Sequence, residues 1–180
     1  MMVLRVMTVL LMLVSAVSYA SGECPASATK CNYTRLGTLE YVWGMNSPDK
    51  QSHVLLNGKE IFKNDSDQIG WDQDGWFYSD NKKMGNMSKF VVYYDLNEPR
   101  QITKDLYLYR AYRVFDFSGK DIVISNEFYP RKVWNIHLDW ASWGKKNAVI
   151  TFKDGSRFKY ENGHVTMIDS GESDTSENRQ

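Results

Sequence analysis

The residues best suited to binding chemistry lie in one stretch where aromatic and acidic side chains alternate. Residues 64–86 contain five aspartates, three glycines and four aromatic side chains. Rigid rings give contact area at a low cost in conformational entropy, and carboxylates add charge complementarity to a partner. The composition predicts a long loop that carries a recognition surface, whose proposed contact residues are Trp71, Asp72, Asp74, Trp76 and Tyr78. In the alternative interpretation the two tryptophans only cap one end of the fold.

The same stretch contains two acidic runs, residues 65–67 and 72–75, that resemble calcium-binding loops. Neither run has a glutamate at its twelfth position, and no helical pattern flanks either run. The chain has only two cysteines, which are too few for a thiolate zinc site. The sequence therefore predicts no metal and no cofactor.

His137 is the best candidate for acid–base catalysis, because it shares the polar face of a predicted strand with Asn135 and Asp139. A solvated strand face is the alternative. The sequence contains no serine nucleophile elbow, phosphate-binding glycine loop or zinc-protease helix motif. We therefore expect a protein that is not an enzyme, and we keep a hydrolase that uses His137 and Asp139 as a third hypothesis.

The first 20 residues have the features of a secretory signal peptide. They contain one charged residue, Arg5, an apolar run, and small residues at Ser18 and Ala20. The apolar run is shorter than the roughly 20 residues that a membrane-spanning helix needs. We expect cleavage after Ala20, no membrane span after signal removal, a β-rich domain over residues 21–169, and a disordered polar tail over residues 170–180.

Charge and cysteine content restrict the compartment and the partner. The chain has 22 basic and 22 acidic residues, a balance that argues against a nucleic-acid binder or an anionic-membrane binder. In an exported chain, Cys24 and Cys31 are expected to form a disulfide. The predicted location is therefore periplasmic or secreted. In a eukaryotic source, three sequence triplets would be potential glycosylation sites, at Asn32, Asn64 and Asn86.

The C-terminal part of the chain has the clearest strand pattern. Alternating apolar positions predict one inward face for a strand over residues 133–140, formed by Trp134, Ile136, Leu138 and Trp140. A three-residue loop at 153–155, with Gly155 left-handed, would pair Ile150 with Phe158. A two-residue turn at Asn162-Gly163 would then pair Tyr160 with Val165 and Phe158 with Met167.

Earlier segments also indicate strands. Residues 37–43 form a plausible first strand, and the Asn57-Gly58 turn predicts a hairpin that pairs Val54 with Ile61. Residues 90–96 are expected to form a strand that stops at Pro99. Residues 106–117 are apolar on both faces, which is typical of a central strand covered on both sides.

Two arginines interrupt that central strand. We expect Arg110 and Arg113 to lie at its rim and to pair with Asp95, Asp105 or Glu127. Together the patterns predict an all-β fold, a single-domain antiparallel β-sandwich or barrel with a C-terminal meander.

The last two hairpins resemble a segment of a known family. Residues 154–158 read Asp-Gly-Ser-Arg-Phe, and residues 162–167 read Asn-Gly-His-Val-Thr-Met. This segment is similar to the C-terminal Ser-Gly-x-Arg-Tyr segment of small periplasmic lysozyme inhibitors. In that family the serine enters the muramidase cleft, whereas this chain has Asp154 there and Phe158 in place of the tyrosine. Immunity proteins against wall-degrading toxins share the format of a signal peptide, a short disulfide and a β-rich body.

These observations favour an exported protein that binds another protein and inhibits or neutralises it. The expected partner is a cell-wall hydrolase or a secreted toxin, contacted by the loop over residues 65–78 together with Asp154 at a hairpin tip. The alternative is a carbohydrate-binding module that uses Trp71, Trp76 and Trp143 as stacking platforms.

Overall fold

The computed structural model describes residues 24–70, 88–104, 106–130, 137–144 and 147–171. Within these ranges the protein is all-β, with twelve strands and one short turn of 3₁₀ helix at Gly44–Asn46. The all-β prediction is therefore confirmed. No helix in the described ranges is long and apolar enough to cross a membrane.

The strands form three open antiparallel sheets among the described residues, each a meander of four strands consecutive in the chain. The first sheet contains β1 (Lys30–Thr34), β2 (Gly37–Val42), β3 (Ser52–Leu56) and β4 (Lys59–Asn64). The middle sheet contains β5 (Ser66–Gly70), β6 (Lys89–Thr103), β7 (Leu106–Asp116) and β8 (Val123–Ile124). The last sheet contains β9 (Leu138–Trp143), β10 (Asn147–Phe152), β11 (Ser156–Glu161) and β12 (His164–Ser170).

The middle sheet is covered on both faces. On one side, Phe90, Val92 and Phe115 pack with Leu39, Tyr41 and other residues of the first sheet. On the other side, the middle sheet contributes to a second core with the last sheet, formed mainly by Val91, Tyr112, Val114, Ile150, Phe152, Phe158 and Tyr160. The expectation of a central strand over residues 106–117 is confirmed, because alternate residues of β7 enter the two cores. This layering is consistent with a β-sandwich.

The turn predictions are confirmed. Asn57 and Gly58 both have positive φ, 51° and 76°, and Asn162 and Gly163 have φ values of 50° and 83°. These are the conformations that a two-residue hairpin turn requires. Gly155 is left-handed with φ 86°, and Ile150 pairs with Phe158. Tyr160 pairs with Val165 and Phe158 with Met167, also as expected.

Several strand boundaries and one register were wrong. Val54 pairs with Phe62 rather than Ile61, because a bulge follows the Leu55–Glu60 pair. β6 does not end before Pro99, since it continues to Thr103 through an irregularity between Asp95 and Arg100. Pro99 is tolerated there because an irregular strand does not need its missing N–H.

The predicted loop over residues 64–86 contains β5 at its start, and β1 was not among the predicted strands. β8 has only two residues, and beyond it Phe128 forms an isolated bridge with Tyr112. β12 ends at Ser170, the first residue of the predicted tail, and residues 172–180 lie outside the described ranges.

A bulge in β9 reverses one predicted face. Thr151 pairs with Trp140 but Phe152 pairs with Leu138, so Asp139 is an extra residue in β9. After Asp139, the odd-numbered residues of β9 face the core instead of the even-numbered ones. Trp143 packs against the core, whereas Trp140 is 45% exposed. The prediction that Trp140 faces inward was therefore wrong.

The predicted disulfide is present. Cys24 and Cys31 are bonded with a Cα–Cα distance of 5.7 Å, and Cys31 is in the edge strand β1. The bond ties the start of the described chain to the first sheet. A disulfide is consistent with an oxidising, extracellular compartment.

Candidate functional site

The predicted recognition residues Trp71, Asp72, Asp74, Trp76 and Tyr78 lie outside the described ranges. The strands on either side of them are described. β5 and β6 pair directly, with Gly70 opposite Tyr93. The seventeen residues 71–87 therefore connect two neighbouring antiparallel strands, which a turn of two to five residues could join. Such a long connection is not required by the sheet itself.

Asp154 has a local structural role in the turn between β10 and β11. Its Oδ1 accepts hydrogen bonds from the backbone N–H of Ser156 at 2.9 Å and from the Ser156 hydroxyl at 2.6 Å. The side chain is half-buried. This is the turn chemistry expected of aspartate two residues before a strand begins. Contact of Asp154 with a partner stays a prediction.

Ser88, where the described chain resumes just before β6, is not near Asp154. The carbonyl of Ser88 accepts the backbone N–H of Phe117, and the adjacent Asp116 accepts the Tyr160 hydroxyl at 2.6 Å. Tyr160 is near the end of β11, whereas Asp154 precedes its beginning. Six residues of strand span about 20 Å. In the described chain, Asp154 and Ser88 therefore belong to opposite ends of β11.

The outer face of the last sheet carries an exposed tryptophan beside polar side chains. Thr151 pairs with Trp140 on one side and with Arg157 on the other, so the three residues form a row across β9, β10 and β11. Trp143, predicted to be a stacking platform, is instead half-buried against the core. Sequence parity missed Trp140 as a surface residue because the bulge at Asp139 is not visible in an alternation pattern.

The catalytic candidate His137 lies just before β9 and is exposed, as is Asp139. The backbone carbonyl of His137 accepts the N–H of Lys153 at 3.1 Å. Asn135 lies outside the described ranges. Across the described ranges, no group of three histidine, cysteine, aspartate or glutamate side chains could hold a metal ion.

Arg110 has the ion pair that the sequence predicted. Its Nε and Nη2 donate to the two carboxylate oxygens of Asp95 at 2.5 and 2.8 Å, and its guanidinium lies 4.2 Å from the centre of the Tyr93 ring. Hydrogen bonding to Asp95 raises the pKa of Arg110, against the opposing effect of burial. Arg110 is therefore a cation with its own counterion.

Arg113, three residues later in β7, lines a pocket between the first and middle sheets. The pocket has a volume of about 230 Å³ and is lined by Phe62, Lys63, Asn64, Asp65, Tyr94, Leu96, Arg100, Arg113 and Glu127. We call it the Arg113 pocket. Its lining contains three cations and two carboxylates, so it carries one net positive charge.

The hydrogen bonds of Arg113 go to neutral groups. Its Nη1 donates to the Ser125 carbonyl at 2.6 Å and its Nε to the Tyr94 hydroxyl at 3.3 Å. Its guanidinium lies 5.4 Å from the centre of the Phe62 ring. No carboxylate of the described residues is within 4.0 Å of it. Glu127 instead accepts hydrogen bonds from Tyr94 and, at 2.6 Å, from Arg100.

Asn64 also lines this pocket. Its Oδ1 accepts the Ser66 hydroxyl at 2.7 Å, but its Nδ2 is buried and has no hydrogen-bond partner in the described structure. Burial also raises the pKa of the Tyr94 phenol, with the hydrogen bond to Glu127 as a second cause, so Tyr94 is a neutral hydroxyl near neutral pH. The buried Nδ2 makes Asn64 a poor glycan acceptor, and Asn32 is also buried.

No protein-family model matches the chain, and no curated protein or solved structure is significantly similar to it.

Proposed function

We propose that this chain is an exported protein that binds another protein, a cell-wall hydrolase or a secreted toxin, and inhibits or neutralises it. The contact surface is the connection of residues 71–87, with Trp76 at its centre. The observation that carries the proposal is the length of this connection between two strands that pair directly. Connections longer than about 12–15 residues in a compact fold usually have a function.

Two further features support the proposal. The connection contains both tryptophan and tyrosine, the residue types that dominate binding hot spots, together with acidic residues suited to a basic cleft. The sheet that carries it is covered on both faces by packed side chains, so its ends are held by a rigid frame. A rigid frame lowers the entropy lost on binding.

The test adds the chain from residue 21 onward to each enzyme of a panel of lysozymes. The measurement is the rate at which each enzyme clears a peptidoglycan suspension. We expect the chain to slow clearing of the suspension by at least one enzyme. Trp76→Ala should weaken binding to that enzyme by at least about 1 kcal/mol with an unchanged unfolding midpoint. Trp140→Ala is the matched control, because it removes an exposed tryptophan from the last sheet instead.

Equal loss of binding in the two variants would contradict the assignment of the surface. The proposed function would be contradicted if the chain inhibited and bound no hydrolase and then captured no partner from the source organism's extract.

A second candidate function is carbohydrate binding on the outer face of the last sheet. Trp140 is 45% exposed there, beside Thr151 and the exposed Arg157. An exposed ring can stack on the apolar face of a sugar while the neighbouring Arg157 donates hydrogen bonds to its hydroxyl groups; the Thr151 hydroxyl is buried. Trp140 replaces Trp143 as the platform in this candidate.

Titration with chitotriose and cellotriose separates the two candidates. Carbohydrate binding predicts a saturable heat signal that Trp140→Ala abolishes and Trp76→Ala preserves. A signal that is absent from the unmodified chain, or that survives Trp140→Ala, would exclude this face as a sugar site.

A further inference from the structure

Two arginines of β7 have contrasting surroundings. Arg110 and Arg113 are both half-buried and both lie beside an aromatic ring. Arg110 has a two-point ion pair with Asp95, whereas the hydrogen bonds of Arg113 go to a carbonyl and a phenol. Removing a cation from water without a counterion is costly. The surroundings of Arg113 are therefore electrostatically incomplete in the part of the chain that the structure describes.

Arg113 lies in the pocket lining without a carboxylate partner of its own among the described residues. Lys63 contributes a second cation at the exposed side. The donor set requires an acceptor that carries negative charge.

We propose that the Arg113 pocket binds a small organic monocarboxylate. The carboxylate would accept hydrogen bonds from the Arg113 guanidinium, and the apolar part of the ligand would lie against Phe62 and Leu96. A monoanion matches the single net positive charge of the lining, whereas a phosphate dianion would face Glu127 and Asp65 with excess charge. The volume of about 230 Å³ equals that of about eight water molecules, which suits a ligand of similar heavy-atom count.

The described lining of the pocket shares no residue with either surface of the proposed function. Its residues come from β4, Asp65 directly after β4, β6, β7 and the segment after β8. It therefore stands or fails independently of protein inhibition.

Benzoate is the probe, and its uncharged isostere benzamide is the ligand control. Amide chemical shifts of the unmodified chain should change saturably with benzoate, with the largest changes around Phe62, Tyr94 and Glu127. Benzamide should bind at least about tenfold more weakly, because charge-assisted hydrogen bonds contribute about 1.5–3 kcal/mol and each 1.4 kcal/mol is a factor of ten.

Arg113→Gln should weaken benzoate binding by about tenfold or more. Lys120→Gln is the charge control, since it removes one positive charge from an exposed position outside the pocket lining and should leave the affinity unchanged. If Arg113→Gln fails to fold, the shift map and the benzamide comparison in the unmodified chain still decide the outcome. No saturable shift, equal binding of benzamide, shifts elsewhere in the molecule, or preferential binding of inorganic phosphate would overturn the proposal.

Discussion

His53 in β3 is held between two carboxylates on the first sheet. Its Nε2 lies 3.0 Å from Asp49 Oδ1 and its Nδ1 2.7 Å from Glu60 Oε2. The hydrogen bond to Asp49 is the main cause that raises the pKa of His53; the bond to Glu60 acts in the same direction, and burial opposes both. A hydrogen bond from the Ser47 hydroxyl, and after it the bond with His53, lower the pKa of Asp49. His53 thus favours its protonated form in the folded protein.

The folded protein should lose stability as His53 deprotonates. Because its folded pKa is above the unfolded value of about 6.5, the stabilisation is fully present below that pH and is lost as pH rises through the folded pKa. Urea unfolding of the unmodified chain should show this loss as the pH rises above about 6.5, and His53→Gln should reduce it. His164→Gln, at an exposed hairpin position, is the control. Identical pH profiles for the unmodified chain and His53→Gln would contradict the prediction.

Residue types alone did not separate a contact residue from a turn residue. Asp154 was predicted at a hairpin tip, and it is at that tip, but one carboxylate oxygen is used by Ser156. Aspartate suits both roles for the same reason, since its short carboxylate accepts hydrogen bonds from any nearby donor. Only the position of Ser156 two residues later indicated the turn role.

At the scale of the strand, the bulge at Asp139 decides which tryptophan is structural. β10 presents Ala148, Ile150 and Phe152 to the core, and their partners in β9 are Trp143, Ala141 and Leu138. One inserted residue exchanges the faces of Trp140 and Trp143 relative to a regular strand.

The two tryptophans should therefore differ in their contribution to stability. Trp143→Ala removes a half-buried ring from the core and should lower the free energy of unfolding by about 2–4 kcal/mol. Trp140→Ala changes an exposed residue and should stay within about 0.5 kcal/mol. Urea denaturation of both variants measures the difference. Similar losses in the two variants would mean that β9 continues without the bulge.

Strand existence and turn positions were predictable because they depend on local chemistry. The glycines at 58, 155 and 163 adopt the left-handed conformations that their turns require, and the turns at Gly155 and Gly163 set the register of the C-terminal meander. Bulges were not predictable, since inserting one residue changes neither composition nor turn signals. That is why the partner of Val54 and the face of Trp140 were both wrong.

At the scale of the whole molecule, the order of the layers follows from apolarity on both faces of β7. The sequence indicated a covered central strand, and the structure assigns the first sheet to one face and the last sheet to the other. The Arg113 pocket was not predictable. Its lining comes from four separate parts of the chain, around residues 62–65, 94–100, 113 and 127, whose proximity depends on sheet packing rather than on sequence spacing.

Because the middle sheet completes both cores, we expect the three sheets to unfold together. Val91 and Val92 are neighbours in β6, 1% and 0% exposed, and they enter opposite cores. Val91→Ala or Val92→Ala should each lower the free energy of unfolding by about 1–3 kcal/mol. Hydrogen exchange should then accelerate in both β2 and β10 for either variant. The reason is that β6 contributes to both cores, so opening one core also disrupts the packing of the other.

Thr166→Ala, at an exposed position of β12, is the control and should leave exchange unchanged in both strands. A different result would identify independent units. If Val92→Ala accelerated exchange only in β2, and Val91→Ala only in β10, each core would be stable without the other. The middle sheet would then remain folded on either partner alone, and the outer sheets would be separable layers rather than parts of one cooperative structure.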